Sequence, residues 1–112
     1  MKFLCECGHA IYDQTDYLSY KAYLISDQDW FNFLDEIDDA IEKTGSTTEE
    51  KEKALMRVRS LAINLTKLVY QCDECGNIFF NNSYNSSPQL EMFRSCSDNP
   101  NKILLKSAEA DK

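Results

Sequence analysis

Four of the five cysteines in this chain fall into two close pairs, and a glycine follows each pair. Cys5 and Cys7 are separated by one residue, whereas Cys72 and Cys75 are separated by two. Thiolate sulfur is a preferred ligand of Zn²⁺, which takes four ligands at the corners of a tetrahedron. Because two short turns can each deliver two sulfurs, the pattern predicts one zinc site that uses both pairs.

Two other residues are alternative ligands for this site. His9 follows the first pair, and Cys96 is the fifth cysteine. We expect His9 beside the metal turn and Cys96 as a free or buried thiol, with either of them able to replace one cysteine. Four reduced cysteines without a metal are a further alternative. A redox function of Cys72 and Cys75 would need a low-pKa thiol at a helix N-terminus, and the flanking sequence lacks that setting.

The same residues argue against catalysis. Four thiolates fill the coordination sphere of zinc and leave no position for a reacting water, which is typical of structural sites. His9 is the only histidine, so every Ser-His or Cys-His arrangement would depend on it. No glycine-rich phosphate loop is present, and Ala10 and Ile11 stand where a zinc deaminase would have its His-x-Glu element. We expect a protein that is not an enzyme.

The length indicates a single domain of 1–112. The distribution of apolar residues indicates a cytoplasmic protein. A chain of 112 residues forms a real but modest core. The sequence has no run of about 18 apolar residues that would span a bilayer. The residues before Cys5 do not form the apolar segment of a signal peptide. Cytoplasmic thiols stay reduced, and this favours a metal site over disulfides.

The net charge of −7 is unevenly distributed. Residues 1–52 contain 13 acidic and 4 basic side chains, whereas residues 53–112 contain 6 acidic and 8 basic ones. Phosphate backbones are repelled by the first half and only weakly attracted by the second. The distribution therefore favours a basic protein partner over nucleic acid.

Alternation of side chains predicts a strand at 17–25. Its expected core face is Leu18, Tyr20, Ala22 and Leu24. Further short strands are expected at 1–4, at 66–71, at 77–80 and from Leu90 onward. Polar or proline-containing segments predict a loop at 81–88 and a turn at 98–101.

Two helices are predicted between these strands. Apolar side chains recur every three or four residues in 27–43 and again after Thr47. Ser26 with Asp29, and Thr47 with Glu50, resemble capping boxes that start the two helices. A connection of about five residues predicts an antiparallel helical hairpin at about 27–65.

The first helix has an acidic face. It consists of Asp35, Glu36, Asp38, Asp39 and Glu42. The simplest interpretation is a solvated helix surface. The functional interpretation is a docking surface for a basic partner. A divalent cation site is the weakest interpretation, because the compact pattern of a calcium loop is missing.

The segment around the second cysteine pair resembles a zinc-ribbon knuckle. It is entered from Leu68-Val69-Tyr70-Gln71 and left through Ile78-Phe79-Phe80. The resemblance covers about 4–9 and 68–95, and it implies a small antiparallel β-unit that holds structural zinc. Zinc ribbons usually carry two C-x-x-C pairs about twenty residues apart. Here the first pair is C-x-C, and 64 residues lie between the pairs.

These observations predict an α+β fold, in which a zinc-ribbon-like antiparallel β-unit carries an inserted two-helix hairpin, with a tail at 107–112. The expected function is that of a small acidic zinc-binding protein-interaction module. A specific version is an immunity-type inhibitor of a basic bacterial toxin. The alternative is a nucleic-acid-associated zinc ribbon of the transcription or translation machinery. That alternative would need a basic face built from Arg57, Arg59, Lys67, Arg94, Lys102 and Lys106.

Overall fold

The computed structural model describes residues 1–81, 89–98 and 102–104. Within them, two helices and two antiparallel sheets confirm the predicted α+β class, with a helical hairpin between strands. The elements in chain order are β1 (Lys2–Leu4), β2 (Ala10–Tyr12), β3 (Lys21–Ile25), α1 (Asp27–Glu42), α2 (Thr48–Leu65), β4 (Thr66–Gln71), β5 (Ile78–Asn81) and β6 (Leu90–Phe93).

The chain divides into two compact units. The first, here called the β-unit, comprises Met1–Tyr23 and the described residues from Lys67 onward. The second, the helical unit, comprises Leu24–Thr66. No helix among the described residues combines the length and the apolar character needed to cross a membrane.

Two sheets make up most of the β-unit. One is the hairpin of β1 and β2, in which Phe3 pairs with Ile11. The other has the strand order β3-β4-β5-β6, and Tyr70 of β4 pairs with Phe79 of β5. The Phe3 ring contacts the rings of Tyr70 and Phe79 edge-on, with centroid distances of 5.4 and 5.0 Å. Such edge-to-face contacts add to the stabilisation that burial of the rings provides.

The strand predicted at 17–25 is wrong for its first four residues. β3 begins at Lys21, and the Lys21 N–H donates to the Leu18 carbonyl across a turn. Tyr17 has φ = 64° and is fully exposed. A bulky residue with positive φ interrupts extended backbone. Of the expected core face, Tyr20 packs against the core of the β-unit, but Leu24 is exposed.

Ser26 and Thr47, the first residues of the two predicted capping boxes, are the N-caps of α1 and α2. The Ser26 hydroxyl accepts a hydrogen bond from the Asp29 N–H, and the Thr47 hydroxyl accepts one from the Glu50 N–H. In each case the hydroxyl also donates to the side-chain carboxylate of the same residue. These bonds satisfy N–H groups that a helix start leaves without partners. Lys43 caps the C-terminal end of α1.

Some sequence predictions lie outside the described residues. These are most of the loop at 81–88, residues 99–101 of the predicted turn, and the tail at 107–112. Near the end of the described chain, the Ile103 N–H donates to the Gln71 side-chain carbonyl over 2.9 Å.

Candidate metal centre

Each cysteine pair lies at the tip of a β-hairpin. The first tip joins β1 to β2, and the Cys5 N–H donates to the His9 carbonyl over 2.9 Å. The second tip joins β4 to β5, and the Cys72 N–H donates to the Asn77 carbonyl over the same distance. The strand pairs therefore fix where each tip begins and ends.

A glycine closes each turn. The Gly8 N–H donates to the Cys5 carbonyl, and the Gly76 N–H donates to the Cys72 carbonyl, both over 2.9 Å. Gly8 has φ = 96° and Gly76 has φ = 81°. These values lie in the left-handed region, where a residue with a Cβ atom is strained. The glycines that follow both pairs in the sequence are thus explained by the turns.

The two tips bring all four paired sulfurs together. The Cys5 Sγ lies 3.4 Å from the Cys75 Sγ, and the Cys7 Sγ lies 3.5 Å from the Cys72 Sγ. All four sulfurs lie within 4.8 Å of one another. In a tetrahedral site with metal–sulfur bonds of about 2.3 Å, adjacent sulfurs are about 3.8 Å apart. The four thiols therefore fit a tetrahedral metal ion.

The sulfurs differ in their surroundings. Cys5 and Cys72 are 3% and 1% exposed, whereas Cys7 is exposed. Burial raises the pKa of Cys72, and it raises the pKa of Cys75 to about 12. A hydrogen bond with the backbone of His9 lowers the pKa of Cys7. Since metal ions bind thiolates, metal binding at this cluster displaces protons from the buried thiols.

Neither alternative ligand belongs to the cluster. Among the described histidines, cysteines and carboxylates, the group that could hold a metal contains only the two predicted pairs. His9 is half-buried in the first turn, and Cys96 is an exposed free thiol.

Asn77 is a neighbour of the cluster that sequence reasoning missed. Its side chain is 5% exposed, and its amide nitrogen lies 3.7 Å from the Cys5 Sγ and 3.3 Å from a Glu6 carboxylate oxygen. Its amide oxygen accepts a hydrogen bond from the Ser95 N–H over 2.9 Å. One buried amide thus links both hairpin tips and the segment after β6.

An ion pair ties the first tip to the same segment. The Arg94 guanidinium donates to both carboxylate oxygens of Glu6, over 2.8 and 3.0 Å. The hydrogen bond from Arg94 lowers the pKa of Glu6. Arg94 is therefore engaged within the β-unit and is not a free cation of a basic face.

A family model described as "Domain of unknown function (DUF8617)" matches residues 1–103. The chain belongs to this family. Comparisons with curated proteins and with solved structures gave no match. The matched range of DUF8617 includes both cysteine pairs and both helices, so it extends across the β-unit and the helical unit.

In this DUF8617 member, the predicted acidic residues lie on α1. Asp35, Asp38 and Glu42 are exposed, whereas Glu36 and Asp39 are half-buried. A weak ion pair joins Asp39 to Lys43 over 3.4 Å at the end of the helix. Between Asp27 and Glu42 the helix carries seven acidic side chains and no lysine or arginine. It is therefore a strongly negative surface.

Proposed function

We propose that this DUF8617 protein is a non-catalytic, zinc-binding protein-interaction module whose acidic helix α1 binds a basic protein. The observation that carries the proposal is the cluster of four cysteine sulfurs within 4.8 Å of one another. Four thiolates leave a tetrahedral ion without an open position, and such sites stabilise a fold instead of activating water.

Zinc is the proposed metal because of the donor set. A tetrahedral set of four thiolates is typical of zinc or of iron–sulfur chemistry. The two hairpins, each with a cysteine pair at its tip and a glycine after it, support the zinc-ribbon resemblance. Metal analysis of protein purified without added metal tests the assignment. One zinc per chain is expected, whereas iron with visible absorption would contradict it.

The charge of α1 supports a basic partner. Seven acidic side chains on one short helix create a negative potential that accelerates encounters with positive proteins. A specific version is an immunity-type inhibitor of a basic bacterial toxin such as a nuclease. Its support is the small size and the net charge of −7, which suit a protein that covers a cationic nucleic-acid-binding surface.

The nucleic-acid alternative has less support. It needs free basic side chains, and Arg94 is paired with Glu6. Arg57 and Arg59 are exposed on α2, but α1 of the same unit contributes seven negative charges. Phosphate binding would have to overcome this repulsion.

A pull-down from native cell extract tests the proposal, followed by titration of the purified partner. The variant carries Asp35→Asn, Asp38→Asn and Asp39→Asn. Its matched control carries Asp16→Asn, Glu91→Gln and Asp98→Asn, which remove three charges from exposed positions of the β-unit. We expect a basic partner that binds the control but not the variant. Equal binding by both proteins, or tight salt-sensitive binding to RNA or DNA, would contradict the proposal.

A further inference from the structure

The helical unit exposes large apolar side chains. Trp30, Ile41, Leu55, Met56 and Ile63 are between 42% and 76% exposed. Among residues 24–66, all of which the structure describes, only Ala40 is buried. Helices in proteins owe most of their stability to an amphipathic face that packs against another element. α1 and α2 pack against each other and still leave much of their apolar surface in water.

Trp30, Ile41 and Leu55 belong to two apolar seams, whose other members are half-buried. On α1, Trp30, Leu34, Ile37 and Ile41 recur at spacings of four, three and four residues, as in a heptad repeat. On α2, Leu55, Val58 and Ala62 recur at spacings of three and four. Because successive helical residues are rotated by about 100°, each set follows one line along its helix.

Both seams lie on the same side of the hairpin. Buried Ala40 marks the side of α1 that faces α2, and a cleft lined by Asp39, Lys53 and Arg57 lies to one side of this contact. Because successive residues are rotated by about 100°, both seams lie on the side of the hairpin opposite the cleft. On each helix, the seam is about a quarter turn away from the residues that face the other helix. The hairpin thus has a polar side with the cleft and an apolar side with the seams.

We propose that the apolar side packs against the same side of a second copy, which forms an antiparallel four-helix bundle. Charge identifies the occupant and its orientation. α1 carries seven acidic residues and no basic one, whereas α2 carries four basic residues and three acidic ones, and all three acidic residues precede Lys53. A two-fold axis parallel to the helices places α1 of each copy beside α2 of the other. The alternative axis would place one acidic α1 against another.

The borders of the seams fit this arrangement. Arg59 borders the seam of α2, and Asp38 borders the seam of α1 at a similar angle. The two residues are also at similar heights along the hairpin, because their neighbours Arg57 and Asp39 line the same cleft. Opposite charges therefore meet at the rim of the bundle. Asp39 is nine residues from Trp30 and projects from the opposite side of α1, so the dimer leaves part of the acidic surface available for a basic partner.

The size of the interface predicts a reversible dimer. α1 has 16 residues and is about 24 Å long, and two helices side by side are about 20 Å wide. Two such faces bury at most about 1,000 Å² in total, which only reaches the lower bound for a specific interface. We expect a dimer that dissociates on dilution.

Sedimentation velocity over a range of concentrations tests the dimer on the metal-loaded full chain. Ile41→Lys places a charge in the seam, and Asn32→Lys is its matched control, nine residues away on the opposite side of α1. We expect wild type and Asn32→Lys to dimerise alike. Ile41→Lys is expected to weaken the dimer by about tenfold or more, because it buries an unpaired charge. A wild type that is monomeric throughout, or an Ile41→Lys dimer as strong as the control, would overturn the proposal.

A charge swap tests the orientation. Arg59→Glu is expected to weaken the dimer at low salt, and a second change, Asp38→Lys, is expected to restore it. Far-UV circular dichroism establishes that each variant keeps its helices. If Arg59→Glu strengthens the dimer or leaves it unchanged, the proposed placement of α1 beside α2 of the other copy is wrong. These outcomes are independent of the basic-partner pull-down, so the two proposals fail separately.

Discussion

The sulfur of Cys5 lies 3.4 Å from the sulfur of Cys75, although the two cysteines are 70 positions apart in the chain. Nothing in the local backbone of either hairpin requires this proximity. A metal ion at the cluster would join the two tips directly. An ion bound by both cysteine pairs would close a long loop of the chain. Holding these two distant segments together is therefore a large part of what such an ion contributes to folding stability.

Removal of the metal is therefore expected to destabilise the protein strongly. Chelation with EDTA at neutral pH, or Cys72→Ser, should lower the melting temperature by about 10 °C or more, since a loss of a few kcal/mol corresponds to shifts of this size in a domain of this length. Differential scanning calorimetry measures the change. Cys96→Ser is the control, because Cys96 is exposed and lies outside the cluster. Identical melting with and without EDTA would contradict the metal assignment.

Truncation of the buried Asn77 amide is expected to weaken both the fold and the metal site. Asn77→Ala leaves the Ser95 N–H without its acceptor and removes the donor beside the Cys5 sulfur. The expected cost is about 2 kcal/mol of unfolding free energy. Metal affinity should fall by about tenfold, as is usual when a group that orients a ligand is lost.

Urea unfolding and competition with a chromogenic chelator measure these two effects. Asn64→Ala, at an exposed position of α2, is the matched control and should leave the metal affinity unchanged. If Asn77→Ala loses stability but keeps full metal affinity, Asn77 supports the fold alone.

The features that depend on neighbouring residues could be predicted from the sequence, whereas few of the contacts between distant residues could. Both helices were predictable because each cap depends on residues three apart, as in Ser26 and Asp29. The four sulfurs were predictable from ligand chemistry and spacing alone. Asn77 was not, because its partners Glu6 and Ser95 are distant in the chain. The start of β3 was missed because side-chain alternation does not report the positive φ of Tyr17.

The Asp13 carboxylate is expected to make stability depend on acid pH. Burial alone raises the pKa of Asp13, but hydrogen bonds from the Tyr70 hydroxyl and the Lys21 ammonium outweigh it and lower the pKa below 3.8. The unfolded state therefore binds more protons near that pH. The contribution of Asp13 is present above the unfolded pKa and is lost as the pH falls through the folded one.

Asp13→Asn should accordingly lower the unfolding free energy by about 2 kcal/mol at neutral pH, as expected for hydrogen bonds to a charged acceptor. Urea titrations of wild type and variant at several pH values measure the difference, and the contribution of the metal is common to both proteins. The difference should shrink in acid. A difference that stays constant down to the acid limit would show that the charge of Asp13 is not its cause.

The start of α2 is expected to depend on one hydroxyl. The Thr47 Oγ1 accepts from the Glu50 N–H over 3.1 Å, so Thr47→Ala leaves a donor of the first turn to water. The expected loss is about 1 kcal/mol, with fraying of the first turn of α2. Amide hydrogen exchange measures it through faster exchange at Glu50 and Lys51. Thr48→Ala is the matched control, because Thr48 is the first residue of α2 and lacks the capping position. Equal exchange in both variants would show that packing between α1 and α2, not the cap, holds this end of the helix.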